Sequence, residues 1–290
     1  MININRLIKE RSASLTSSQR KLMEYIFSNL EESVFLNIED LSKRVEVSKA
    51  TVVRLCKNLG FQGFPEFQKE LIKIFRNKLT TTFRLQNTVR KVSDEEAVLF
   101  KILQTDIENI RETLHQTSRQ EFKKFVQTID KAERIMVVGL RSAYSLAIIL
   151  GIALEFLQKN VWLIQPGIGD MWDRMLSVGK DDLVIGISFP RYTRQTVEVL
   201  RFAKERGTKT LAITDSPFSP LAQYADHVLT AQYKMDSFME SFTAPLSLIN
   251  AIVTALGILN KKRTMRSLKA LEGIWENQQI YYNADKSRKG

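Results

Sequence analysis

Between Ser48 and Gly60 the apolar residues fall on one helical face. Val52, Val53, Cys56 and Leu59 recur three or four apart, while Lys49, Thr51, Arg54, Lys57 and Asn58 project elsewhere. Ser48 is a good N-cap and Gly60 suits the residue just past a helix end, so a helix of about three turns is predicted between them. Upstream, Asn37 caps a second predicted helix carrying Ile38, Leu41 and Val45, and Val47 then sits in a tight turn before Ser48. The pattern is helix, short turn, helix. Further upstream, Thr16 and Gln19 stand at capping-box spacing before a stripe of Leu22, Tyr25, Ile26 and Leu30. Downstream, Pro65 is placed to open a helix with the stripe Phe67, Leu71 and Phe75.

Residues 78–93 lose periodicity and turn polar, which marks a linker. From residue 94 a helical pattern returns through Ala97, Phe100, Ile102, Leu103, Ile107, Ile110 and Leu114, and another helix is predicted over 118–130. Five short apolar or β-branched runs follow, at 134–140, 161–164, 183–188, 209–214 and 227–230. Stretches of helical period separate them, including 143–158 and 193–206. Continuous apolar strands alternating with helices predict a parallel sheet covered on both faces. The expected organisation is an α-helical helix-turn-helix domain over 1–77, a linker over 78–93, an α/β domain over 94–283 and a disordered polar tail over 284–290.

Charge sharpens this division. The net charge is +11, and residues 1–90 carry 16 Lys and Arg against 9 Asp and Glu, whereas the remainder carries 27 against 23. Basicity concentrated around the helix-turn-helix implies a polyanionic partner there. Lys43, Ser48, Lys49, Thr51, Arg54 and Lys57 are the candidate contacts to double-stranded DNA, with Lys49, Thr51 and Arg54 placed to reach base edges. The single cysteine, Cys56, excludes an internal disulfide framework and is read as core. No signal-peptide core is present in the first fifteen residues, and the apolar stretches 145–157 and 244–259 are read as buried helices rather than membrane spans. A cytoplasmic protein with no membrane partner is expected. Neither G-x-G-x-x-G nor a P-loop occurs and no metal site is readable, so no cofactor is expected.

In open α/β sheets ligands bind outside the carboxyl ends of the strands. Three such corners can be read, at 139–142, 188–193 and 214–219, all rich in hydroxyls. Hydroxyls and free N–H groups at a helix start form a site for a phosphate or carboxylate. Ser188 ends a strand, Thr193 is placed to cap the next helix and Thr196 lies in its first turn. Arg191 and Arg141, with Ser142 beside the latter, supply a charged fork to the same anion. Ordinary helix capping is the competing reading of each Ser or Thr on its own.

Together these residues resemble the RpiR (MurR/RpiR) family of bacterial transcriptional regulators, over nearly the whole chain. The resemblance rests on 15–30 and 47–64 for the N-terminal domain, with Leu59-Gly60-Phe61, Gly63-Phe64-Pro65 and Phe67 at its end. The second half resembles a SIS domain, a phosphosugar-binding module with a five-stranded parallel sheet flanked by helices. Ser188 and Thr193 match the ends of that module's Ser-x-Ser-Gly-x-Thr phosphate loop, and Thr214-Asp215, Ser219-Pro220-Leu221 and Ala225-Asp226 match later landmarks. The resemblance implies a homo-oligomeric regulator, dimer or tetramer, that responds to a phosphorylated sugar or related metabolite. This chain departs from the pattern at Pro190 and Arg191 in the phosphate loop and at Arg141 and Ala143 in the first loop. Pro removes a donor and Arg replaces a glycine, so an anion held by Arg side chains is expected instead of one held by a glycine-rich cradle.

The leading reading is therefore a DNA-binding regulator, acting on a near-palindromic operator and controlled by an anionic effector. A sugar-phosphate isomerase with an accessory basic domain is the alternative. It needs a base, and only His115, His227 and Glu240 in the stretch 235–242 offer one; Glu240 serves equally as an effector ligand. A third reading makes the sheet domain an assembly module, with the helices read at 244–259 and 265–280 as oligomer surfaces.

Overall fold

The computed structural model describes residues 15–78, 80–91, 94–165, 171–235 and 237–282. The stretch read for a leader, up to residue 14, and the tail expected over 284–290 lie outside these. The chain forms two compact units, one built mainly on residues up to Ile102 and the other mainly on residues from Leu103. The division falls inside a helix, not at residue 94.

The first unit contains α1 (Ser17–Ser28), α2 (Leu30–Ser33), α3 (Ile38–Val45), α4 (Lys49–Asn58), α5 (Phe64–Lys78) and α6 (Thr81–Lys91). Caps set the helix starts. Gln19 N–H donates to Thr16 Oγ1 at 3.3 Å and Thr16 N–H to Gln19 Oε1 at 3.1 Å, completing the capping box. Asp40 N–H donates to Asn37 Oδ1 at 2.9 Å and Thr51 N–H to Ser48 Oγ at 3.1 Å. At the end of α4, Phe61 N–H bonds Cys56 O and Gly60 N–H bonds Lys57 O, each at 2.9 Å, with Gly60 at φ 92°. This is a Schellman closure, and it needs the left-handed backbone that glycine supplies. Leu22, Ile26, Leu41, Val52, Leu55, Cys56, Phe67 and Leu71 are wholly buried. Leu55, not the half-buried Val53, completes the inward face of α4.

The expected linker is not unstructured where it is described, because α6 occupies 81–91. Thr80 Oγ1 accepts the N–H of Phe83 at 3.3 Å and starts the helix, while Phe83, Leu85 and Val89 stay exposed. A capped helix lacking a buried apolar stripe leaves no periodic signal.

The second unit begins with α7 (Glu95–Gln116) and α8 (Arg119–Lys131) and continues as β1 (Arg134–Val138), α9 (Tyr144–Phe156), β2 (Asn160–Leu163), α10 (Met171–Leu176), β3 (Asp182–Ile187), α11 (Arg194–Glu205), β4 (Lys209–Thr214), β5 (His227–Thr230), α12 (Thr243–Leu259) and α13 (Lys261–Asn277). The five strands are all parallel, in the order β2-β1-β3-β4-β5. β3 is buried at all six positions, as a central strand covered on both faces must be. Met136, Val138, Val184 and Ala212 form one core with Val199, Leu200 and Ala203 of α11. α9 lies against β1 and β2, and α8 against β5. Reversal of strand order between β1 and β3 makes the carboxyl edge there the topological switch point. Among the described residues no single helix is long and apolar enough to cross a membrane; α12 and α13 have the composition only together, and they meet at 107°.

Candidate nucleic-acid interface and effector site

α3 and α4 are joined at Glu46, which adopts the left-handed φ of 58°, and by Val47, whose N–H bonds Ser42 O at 2.9 Å. This closes the turn in three residues. On the outer side Lys43, Ser48, Lys49, Arg54 and Lys57 are exposed and Thr51 is half-buried. Arg54 donates from Nε to Ala50 O at 3.3 Å, one turn back, which leaves the rest of its guanidinium for other partners. The hydroxyls of Ser48 and Thr51 lie 2.9 Å apart and serve first as the cap. Sequence reasoning missed Glu39. Its carboxylate pairs with Lys49 at 2.9 Å and Lys43 at 3.1 Å, and their hydrogen bonds, Lys49 foremost, hold it below the ordinary glutamate range. A phosphate must compete with Glu39 for both lysines. The i,i+4 spacing of Glu39 and Lys43 was the available signal. Cys56 lies beneath this surface, and burial pushes its thiol up to about 12, leaving it unreactive as predicted for a core residue.

The second cluster lies at the carboxyl edge of the sheet. After β1 the chain passes Gly139, where a Cβ would stand 2.7 Å from Ala143 O and 3.2 Å from Ala147 Cβ, so only glycine lets the first turn of α9 close on the strand. Arg141 follows, exposed and at φ 58°. The exposed Ser142 uses its carbonyl to accept Ser145 Oγ–H at 2.8 Å. After β3, Ser188 is almost fully buried and its Oγ accepts the N–H of Thr193 at 3.3 Å. Arg191 is exposed at φ 76°. Both arginines that stand where the resemblance places glycine therefore keep the backbone conformation favoured by glycine.

Thr193 occupies the N-cap of α11 with no side-chain cap bond. Thr196 is wholly buried, and its Oγ1 has no hydrogen-bond partner. Thr196, expected among the effector contacts, is thus held in the first turn of α11 with no exposed surface. Tyr192 donates its hydroxyl to Asp215, 2.8 and 2.9 Å from the two carboxylate oxygens, and Thr214 Oγ1 donates to the same carboxylate at 3.0 Å. These contacts tie the β3 and β4 loops together, a role for Tyr192 that sequence reasoning missed. Phe189 packs on Tyr233 at 6.0 Å and on Phe242 at 5.7 Å between ring centroids. The stretch bearing the half-buried Glu240 thus runs beside the β3 loop. His227 begins β5, at the opposite edge, with Nδ1 2.8 Å from Glu121 Oε1. His115 is exposed on α7.

The chain matches the model of the helix-turn-helix domain of the rpiR family over residues 2–78 and that of the SIS domain over residues 128–255. Among solved structures it is similar to the RpiR transcription factor from Sphaerobacter thermophilus (sugar isomerase domain). The identity is 31% and the TM-score 0.58, over 60% of this chain and 97% of that one. The NanR protein of Vibrio vulnificus, solved in complex with ManNAc-6P, shares the fold at TM-score 0.65 and 18% identity, over 97% of this chain and 100% of that one. Its curated relatives are named regulators. The HTH-type transcriptional regulator HexR of Escherichia coli is 24% identical over 98% of this chain and 100% of its own length. An HTH-type transcriptional regulator of Haemophilus influenzae is 28% identical over 74% of this chain and 75% of its own.

Proposed function

The chain belongs to the RpiR family of helix-turn-helix transcriptional regulators, and from that premise we propose how its two units divide the work. α4 enters the major groove of a near-palindromic operator, with Lys49, Thr51 and Arg54 at base edges and Lys43, Ser48 and Lys57 at phosphates. The carboxyl edge of the sheet takes a phosphorylated sugar or another anionic metabolite on Arg141, Ser142, Ser188, Arg191 and Thr193, with Glu240 on a neutral hydroxyl of the same ligand. The protein works in the cytoplasm as a homo-oligomer. Effector binding favours one arrangement of the DNA-binding units over another, because equal affinity for both would shift nothing.

The observation that carries this reading is the pair of arginines in left-handed backbone, Arg141 and Arg191, at adjacent strand ends. Holding a non-glycine residue there costs roughly 1 to 2 kcal/mol. An arginine at such a position keeps the shape of an anion loop and adds a cation to it.

The test is a thermal-shift screen of phosphorylated and carboxylated metabolites, followed by operator binding with and without the hit. Stabilisation that vanishes in Arg191→Ala, together with an effector-dependent change in operator affinity, is expected. On the DNA side, Arg54→Ala is expected to cost about 1–3 kcal/mol against the matched site and to relax discrimination at one position. Lys43→Ala weakens all sequences alike and flattens the salt slope by about 1. Equal loss on matched and mismatched sites for Arg54→Ala removes that residue from base readout.

A further inference from the structure

α7 is built inside out. Thr105, Asn109 and Thr113 recur every fourth residue and are buried. Asn109 Nδ2 donates to Lys234 O at 2.7 Å, and Thr113 Oγ1 accepts Gln232 N–H at 2.9 Å. Asp106, beside this stripe, accepts Thr243 Oγ1–H at 2.9 Å and the hydroxyl of Ser241. The face turned inward is thus polar and tied down by hydrogen bonds from Asn109 Nδ2, to Thr113 Oγ1 and to Asp106, with Asn109 Oδ1 alone of these buried oxygens left without a partner. The apolar residues point out instead. Phe100, Leu103, Ile107, Ile110 and Leu114 follow one another at spacings of three, four, three and four, with exposures of 67, 53, 43, 37 and 74%. Leu99, 56% exposed, lies in the same arc.

At roughly 200 Å² for a fully exposed large side chain, these six residues present roughly 600 Å² of one continuous strip. That reaches the upper end of what an ordinary monomer leaves uncovered. Two such strips face to face bury about 1,200 Å², the lower bound of a specific interface. The alternating three-four spacing is the seam a second helix of the same period fills. The neighbouring exposed face carries Lys101, Glu108 and Arg111, charges of both signs, which suits neither a nucleic acid nor an anionic membrane surface. We infer that this seam packs against the same seam of a second copy of the chain, so that α7 is a homo-oligomer interface. The inference rests on the homo-oligomeric reading above and names its surface.

The test uses the full chain and the double variant Leu103→Gln/Ile107→Gln, by sedimentation velocity at micromolar concentration with far-ultraviolet circular dichroism. An oligomeric parent and a variant of lower mass with an unchanged spectrum is the expected result. An oligomeric variant of unchanged mass overturns the α7 seam and leaves the homo-oligomeric reading intact, whereas a monomeric parent overturns both. Should the variant lose its helical signal, single cysteines at Leu103, Ile107 and Ile110 decide the matter. A disulfide-linked dimer from at least one supports the seam, and none from any overturns it. Anionic phosphatidylserine vesicles that sediment a monomeric parent but not the variant would assign the face to a membrane and overturn the proposal.

Discussion

A side chain at a strand end is useful only when its backbone aims it, and Arg191 is the clearest case. Its φ of 76° lies where glycine is at home, and the guanidinium is exposed at the rim of the β3 loop. The conformation and the charge are separable. Arg191→Ala removes the charge and keeps the strained backbone, whereas Arg191→Gly removes both. Relief of the left-handed penalty, partly offset by the greater freedom of glycine in the unfolded chain, predicts that Arg191→Gly raises the stability of the ligand-free protein by up to about 1 kcal/mol. The same variant loses the stabilisation given by an anionic ligand. Thermal melts of parent, Ala and Gly variants, each with and without the effector, read both quantities. A Gly variant less stable than the Ala variant in the absence of ligand would show that the backbone at 191 is not strained.

At the scale of elements, the readable parts are those in which one signal dominates. The five strands were legible because each is a short apolar or β-branched run, and in the central strands, covered on both faces, few polar positions interrupt it. α1, α3 and α4 were legible because a cap and an apolar stripe coincide in each. α6 was not, since it has the cap without a buried stripe, and the orientation of α7 was not, since its apolar stripe faces out. In the candidate sites, residue types were legible but burial was not: Thr196 has the right position in α11 and lies wholly beneath it. The first loop depends on a contact that no sequence pattern states, the approach of Ala143 O to Gly139. Backbone cannot retreat as a side-chain tip can, so Gly139→Ala is expected to cost about 1–3 kcal/mol and to displace Arg141 with the α9 start. A lower melting temperature accompanied by weaker effector binding, with Arg54-dependent DNA binding retained, is the outcome to look for. An unchanged melting temperature would mean that the turn moves freely.

For the molecule as a whole, the two edges of the sheet have opposite duties, and acid separates them. The carboxyl edge holds the loops proposed to take a ligand, while the amino edge is clamped by ion pairs whose carboxylates are largely buried. Arg134, which opens β1, donates to Asp182 Oδ1 from Nε at 2.9 Å and to Oδ2 from Nη2 at 2.6 Å, with its guanidinium 4.4 Å from the centre of the Trp162 ring. Gly179 N–H adds a bond to Asp182 at 2.7 Å, and Asp226 receives Lys204 together with Thr210 N–H at 2.9 Å. Burial pushes both carboxyls up, but these donors and the neighbouring positive charge outweigh it and hold each below the ordinary value of 3.8. A carboxylate lowered in the folded state contributes stability that is complete above its unfolded value and is lost as the pH falls through the folded one. The clamp is therefore whole at neutral pH and releases only below about pH 4. There the net charge of +11 also climbs as the 32 Asp and Glu side chains protonate, so self-repulsion acts in the same direction. Asp182→Asn is expected to cost about 2 kcal/mol at pH 7 and to flatten the loss of stability below pH 4, because the variant has one linked proton fewer to bind. Denaturant midpoints measured from pH 3 to pH 7 on parent and variant check it, and parallel curves would show that the acid limb arises elsewhere than in the strand clamp.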